Sequence, residues 1–174
     1  LGFNDSATAG SSTIANHDWL FFEDSSSAGS STITSNGSIG FYSSATAGSS
    51  TITNNSGLSF NNSATAGSST ITNNSWLYFN DSATAGSAAF TNNGAIYFST
   101  NATAGSAAIT NGVSGNIDLS GHSGGISLGS IAGGGTVHLG GITATVGGSN
   151  ASTTFSGQIA DGGWNGGIGG ALIK

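Results

Sequence analysis

The sequence predicts an all-β chain wound as a parallel β-helix, a β-solenoid of about nine coils with 19-residue coils in the first two-thirds. Three observations predict it. An Ala-Gly pair recurs at Ala9, Ala28, Ala47, Ala66, Ala85 and Ala104, each 19 residues after the last. Within each unit apolar and polar residues alternate, the period of a strand, whose successive side chains point to opposite faces. Nothing favours a helix: there is no apolar stripe of period 3.6, and β-branched residues, Asn and Gly dominate.

The unit Gly57–Ser75 shows the elements in order. Leu58 and Phe60 form a first short run, "NNS" at Asn61–Ser63 a corner, and Ala64 and Ala66 a second run that ends at Gly67. Ser69, Ile71 and Asn73 form a third, and a second "NNS" at Asn73–Ser75 turns the chain again. Asn, Ser and Gly are turn chemistry, because they bond their own backbone or tolerate positive φ. One such unit cannot bury its apolar side alone, so the units must stack at roughly 4.8 Å per rung, each copy the floor for the next.

Stacking turns the repeat into columns. Phe3, Phe22, Phe41, Phe60, Phe79 and Phe98 stand six residues before each Ala-Gly marker. Leu1, Leu20, Ile39, Leu58, Leu77 and Ile96 stand eight before it; Ile14, Ile33, Ile52, Ile71, Phe90 and Ile109 stand five after. Asn16, Asn54, Asn73, Asn92 and Asn111, with Ser35 interrupting, are placed to form a side-chain amide ladder. Residues 1–112 thus read as six solenoid repeats. Residues 113–174 lose the register and turn rich in Gly, Ile and Val, but keep short alternating strands between glycine corners, so they read as less regular coils of the same solenoid.

Composition narrows the function. Charged residues make up 5% of the 174, against about 25% in an ordinary domain, and Pro, Cys and Met are absent. In a stack of like on like, a charge would face its own copy one rung away. Lys174 is the only Lys or Arg, and the net charge is −6, so the cationic footprint that nucleic acid demands is missing. The longest apolar run, "WLFF" at Trp19–Phe22, is far short of the roughly 20 residues of a membrane helix, so direct membrane insertion by this segment is not expected. The chain starts at Leu1 without a signal segment and reads as a piece of something longer.

The tail carries a family resemblance. "TVHLGGITATVGGSNASTTFSGQIADGGWNGGIGGALIK", Thr136–Lys174, and above all "TTFSGQIADGG" at Thr153–Gly163, resembles the autotransporter-associated β-strand repeat of bacterial type V secreted passengers. The 19-residue units resemble the repetitive regions that precede that repeat. The resemblance implies a right-handed β-helix exported and displayed on, or shed from, a Gram-negative outer membrane. It also implies an adhesive role, with host or cell-surface glycans or proteins as partners.

Seven carboxylates allow an enzyme reading to be checked completely. Asp5, Asp24 and Asp81 share one column with Ser43, Asn62 and Thr100, all corner formers. The alternative is that Asp5, Glu23 and Asp24 on adjacent rungs hold a calcium ion, or act as a glycosidase carboxylate pair. His17 and Asp18 fall at a corner. His122 and His138 stand apart from carboxylates except for Asp118 near His122, and a third metal partner is missing. No nucleophile motif appears, so no catalytic residue and no cofactor is expected. Trp19, Trp76 and Trp164 are the sugar-stacking candidates. Thr13, Thr32, Thr51 and Thr70, beside Thr34, Thr53, Thr72, Thr91 and Thr110, form a flat outward array of the kind ice-binding solenoids present, broken by Ala15, Ala89 and Ala108. The expected function is a non-enzymatic structural stalk or adhesive module. The alternatives are a self-assembling fibre, with end-to-end pairing through open coil ends, an ice-binding face, and a polysaccharide-active enzyme.

Overall fold

The computed structural model describes Leu1–Lys174, and the chain is an all-β parallel solenoid without a helix. The first sheet has nine parallel strands: Gly2–Phe3, Trp19–Phe22, Ser38–Phe41, Gly57–Phe60, Trp76–Phe79, Ala95–Phe98, Asn116–Asp118, Thr136–His138 and Gln158–Ala160. The second has seven, from Thr13–Asn16 through Thr70–Asn73 to Ser130–Gly133. The third face begins as single parallel bridges joining Thr8, Ser27, Thr46, Thr65, Thr84 and Thr103, and reappears further along as a sheet of Ile126–Leu128, Thr143–Val146 and Ala171–Ile173.

Register follows the 19-residue period without a slip through the six repeats: Phe41 pairs with Phe60 and Phe60 with Phe79 on the first sheet, Ile52 with Ile71 on the second. Along the common axis the Phe41 and Phe60 ring centroids lie 4.7 Å apart, Phe60 and Phe79 4.9 Å, and neighbouring planes are within 8° of parallel. Leu20, Leu58, Leu77, Ile33, Ile52 and Ile71 are fully buried beside this stack in a single core of 35 apolar residues. At Phe90, where other repeats carry Ile, the larger ring fits by meeting Phe79 edge-on, centroids 6.0 Å apart at 87°.

The Asn ladder is continuous from Asn54 to Asn111. Each Nδ2 donates to the next Oδ1, at 2.7 Å from Asn54 to Asn73 and 2.8 Å from Asn73 to Asn92 and from Asn92 to Asn111. Each also donates to corner carbonyls, Asn73 to those of Ser75 and Ala95 at 3.0 Å. The ladder therefore ties each coil to its own corner and to the next coil's. Ser35 interrupts it, accepting from Asn16 but turning its own hydroxyl to the Gly37 carbonyl.

A neighbouring column is less well satisfied. The hydroxyls of Ser31, Ser50 and Ser69 are buried without a hydrogen-bond partner, and the next two rungs carry Ala88 and Ala107 instead. An unpaired buried hydroxyl costs about 1–3 kcal/mol, so Ser69→Ala is expected to stabilise the fold by about 1 kcal/mol in denaturant titration. A loss of stability would show that the hydroxyl has a partner.

The corners need left-handed backbone. Asp5, Asp24, Ser43, Asn62, Asp81 and Thr100 all have φ between 55° and 60°. Where this column carries Asp or Asn, the side chain accepts the backbone N–H of the residue one rung earlier: Asp24 from Asp5 at 3.0 Å, Asn62 from Ser43 at 3.1 Å, Asp81 from Asn62 at 2.9 Å. Thr100 is the misfit, because a β-branched residue at positive φ is strained. Thr100→Asn is expected to raise stability by about 1 kcal/mol, by relieving that strain and supplying an acceptor for the Asp81 N–H. An unchanged or lowered unfolding midpoint would refute this. The following column, Gly10 to Gly105, also has positive φ, and a Cβ on Gly67 would stand 2.6 Å from the Gly48 carbonyl oxygen, so a side chain fits neither the backbone nor the stack.

Candidate functional site

The outward faces of the sheets differ. On the second sheet Thr13, Thr32, Thr51 and Thr70 lie in register and exposed, with Ala89 and Ala108 next in the column. On the third face Thr46, Thr65 and Thr84 each accept a backbone N–H two residues on, closing the glycine corner. The first sheet instead gathers aromatic rings: Trp19, Trp76, Tyr78 and Tyr97 all stand on its outer surface.

From Ser59 the outward column runs Tyr78, Tyr97, Asp118, His138 and Ala160 in register. Tyr78 and Tyr97 stack with centroids 4.7 Å apart and planes 12° from parallel. The next rung places Asp118 where the tyrosine ring would continue, and although it sits on an outer face it is only 3% exposed. The segment after the ninth strand covers it. There the chain runs Asp161-Gly-Gly-Trp-Asn-Gly-Gly-Ile-Gly-Gly170, with positive φ at Gly162, Gly163, Gly166, Gly167 and Gly169.

Those glycines let the segment fold back, and carboxylates fasten it. Asp118 accepts from the Ser120 N–H at 2.9 Å, the Ser120 hydroxyl at 2.6 Å and the Trp164 N–H at 2.6 Å. Ser120 Oγ accepts from the Asn165 N–H at 2.9 Å. Asp161 grips the other end, accepting from the Gly169 and Gly170 N–H groups at 2.9 Å each. Trp164 is left 84% exposed and, with the tyrosine pair, lines a groove of about 270 Å³. Asn80, Ser99, Ser120 and Asn165 complete its walls. The chain matches no family model, no curated protein and no solved structure with which it was compared.

Burial, then the neighbouring Tyr78 and Asp118, raises the pKa of Tyr97. His138 lies beside Asp118 on the adjacent rung, its Nδ1 3.4 Å from the Asp161 carbonyl. The strand register thus brings residues 20 apart together and sets His138 next to Asp118. His122 does something else: its Nε2 lies 2.8 Å from the Ala102 carbonyl and its Nδ1 2.9 Å from that of Gly124, where the third-face ladder breaks between Thr103 and Ile126.

The other sequence candidates lie away from the groove. Asp5, Glu23 and Asp24 are exposed near the opposite end, with one Asp24 oxygen engaged by the Asp5 N–H, and nowhere in the molecule do three His, Asp or Glu side chains converge as a metal site. His17 and Asp18 are exposed at a corner, and Trp19 lies on the first sheet several rungs from the tyrosine pair. Sequence reasoning picked out Trp76 and Trp164 singly and Asp118 only as a neighbour of His122, but not Tyr78 or Tyr97. The outward period of two on "WLYF" and "AIYF" carried the signal for the tyrosines.

Proposed function

We propose that the chain is a non-enzymatic, rigid stalk with an adhesive surface, part of a bacterial cell-surface or secreted protein of the autotransporter type. The observation that supports it is the unbroken in-register column, nine strands tall on its first sheet, or about 38 Å at 4.8 Å per rung. Such a column is stiff because each strand of the first sheet is bonded in register to its neighbours, and the rungs from Phe3 to Phe98 are filled by stacked rings. It also lends itself to export, as each coil folds on the one before it and needs no distant partner. On this reading the module's place is extracellular, and its partners are host or cell-surface glycans or proteins.

The test is surface display of residues 1–174 through a translocator barrel on a non-adherent Gram-negative cell. The expected result is increased adherence to host cells, with no turnover of polysaccharides by the purified chain. Polysaccharide cleavage, or display without adherence, would overturn the reading.

A second reading rests on the last coil. Ile159 and Leu172 are 40% and 43% exposed there, around an apolar depression of about 230 Å³ lined also by Val137, Val146 and Phe155. A further coil is what covers such a surface. In a self-assembling fibre that coil comes from another copy, and sedimentation would show mass growing with concentration.

A further inference from the structure

We infer that the groove lined by the Tyr78–Tyr97 pair and Trp164 binds an uncharged saccharide, with its apolar patches against the aromatic side chains. This deepens the adhesive half of the proposed function by assigning its ligand class to one place. Large aromatic side chains with one apolar body and one polar tip suit a ligand that is itself apolar on its ring faces and wet on its edges. Tyr78, Tyr97 and Trp164 are of this kind, and all three line one depression, the tyrosines from successive rungs and Trp164 from the segment that folds back over Asp118.

The rest of the lining fits the edges of such a ligand. Asn80 and Asn165 carry amides, and Ser99 and Ser120 hydroxyls, so donors and acceptors are both present for hydroxyl groups. The charges select against other ligands. No cationic side chain lines the groove, Asp118 forms its floor, and the chain as a whole carries −6, so phosphates, uronates and sialylated glycans meet repulsion with nothing to offset it. A metal ion fares no better, because the Asp118 carboxylate is already shared among three hydrogen bonds and no second and third ligand converge with it. Purely apolar ligands would strand the polar walls. A neutral polyol satisfies every surface.

The backbone of the segment that carries Trp164 is also preorganised. Trp164 is held by its backbone N–H on Asp118 and by the Asn165 N–H on Ser120, with Asp161 fastening the far end of the segment. Ordering that segment is then part of folding, and binding does not bear the cost again.

The experiment titrates the purified chain with neutral cello-, manno-, xylo- and malto-oligosaccharides and, separately, with polygalacturonate and a sialylated oligosaccharide, by calorimetry and tryptophan fluorescence. At least one neutral series is expected to bind and to outcompete the acidic ones. Trp164→Ala and Tyr97→Ala should each weaken that binding about tenfold, the loss of one aromatic contact. Trp19→Ala, on the same sheet but several rungs away, should leave it unchanged. Unfolding midpoints measured alongside separate lost contact from lost fold. No binding by any neutral series, preference for an acidic one, or full affinity in both groove variants overturns the proposal. None of these results touches the stalk, whose own test is adherence and absence of turnover; a saccharide bound and then cleaved would spare the groove and defeat the stalk.

Discussion

Phe60→Ala is expected to lower the unfolding free energy by about 3–5 kcal/mol. Phe60 is fully buried, with stacked neighbours at 4.7 Å (Phe41) and 4.9 Å (Phe79), so truncation opens a cavity bounded by two ring faces. The cavity cannot close, because Leu58 and Phe60 lie on one four-residue strand whose backbone is tied to both adjacent strands, and moving it inward would break those ladders. The position within the column sets the size of the effect. Phe3 is only partly buried and stacks on Phe22 alone, at 4.8 Å, so Phe3→Ala should cost markedly less. Denaturant titration followed by circular dichroism gives both values. Equal losses at Phe3 and Phe60 would mean that the rings act as independent packing groups and not as a stack. A repeat protein weakened at one interface also tends to lose cooperativity, so a second, shallower transition in Phe60→Ala is expected.

How much was legible in advance follows from the same stack. A period that never slips dictates the partner of every residue from Phe3 to Asn111, and alternation then decides which side chains face in. The Asp5-to-Thr100 column was legible as corners, since Asp, Asn, Ser and Thr share turn chemistry. The capping of one rung by the next was not, since it depends on where a carboxylate points in left-handed backbone. The groove was hidden for a different reason. Its parts come from a regular repeat, Tyr78 and Tyr97, and from an irregular excursion, Trp164, and the bond that joins them spans 46 residues between Trp164 and Asp118. Beyond Asn111 the intervals on the first sheet vary, with Ala95 paired to Asn116, Asn116 to Thr136 and Thr136 to Gln158, so no fixed spacing announced that His138 would sit beside Asp118. Glycine-rich sequence says that the chain can turn, not where it returns.

Asn73→Asp is expected to destabilise the fold by about 3–5 kcal/mol at neutral pH, and to do so in a pH-dependent way. The substitution keeps size and shape but exchanges an amide nitrogen for an oxygen. Asn73 Nδ2 donates to the Asn92 side chain and to the Ser75 and Ala95 carbonyls, while its Oδ1 accepts from Asn54. A carboxylate retains only the last of these, and turns a second negative oxygen toward three acceptors at a site with no solvent exposure. Burial and the facing carbonyls both disfavour the ionised form, so the folded-state pKa of the new group lies above its unfolded value of about 3.9. For a group raised in this way, the protonated form's contribution to stability is present in full below the unfolded value and is lost as pH rises through the folded one. Protonated, the acid can donate again to Asn92 and recover part of the ladder. The difference in unfolding free energy between the variant and the parent chain should therefore be smallest near about pH 4 and widen as pH rises. Asn73→Leu removes the same donors without adding a titrating group, so its deficit should not change over that range. A pH-independent deficit in Asn73→Asp would mean that water reaches the column, and the amide ladder would then be a solvated surface feature, not the seam that binds each coil to the next.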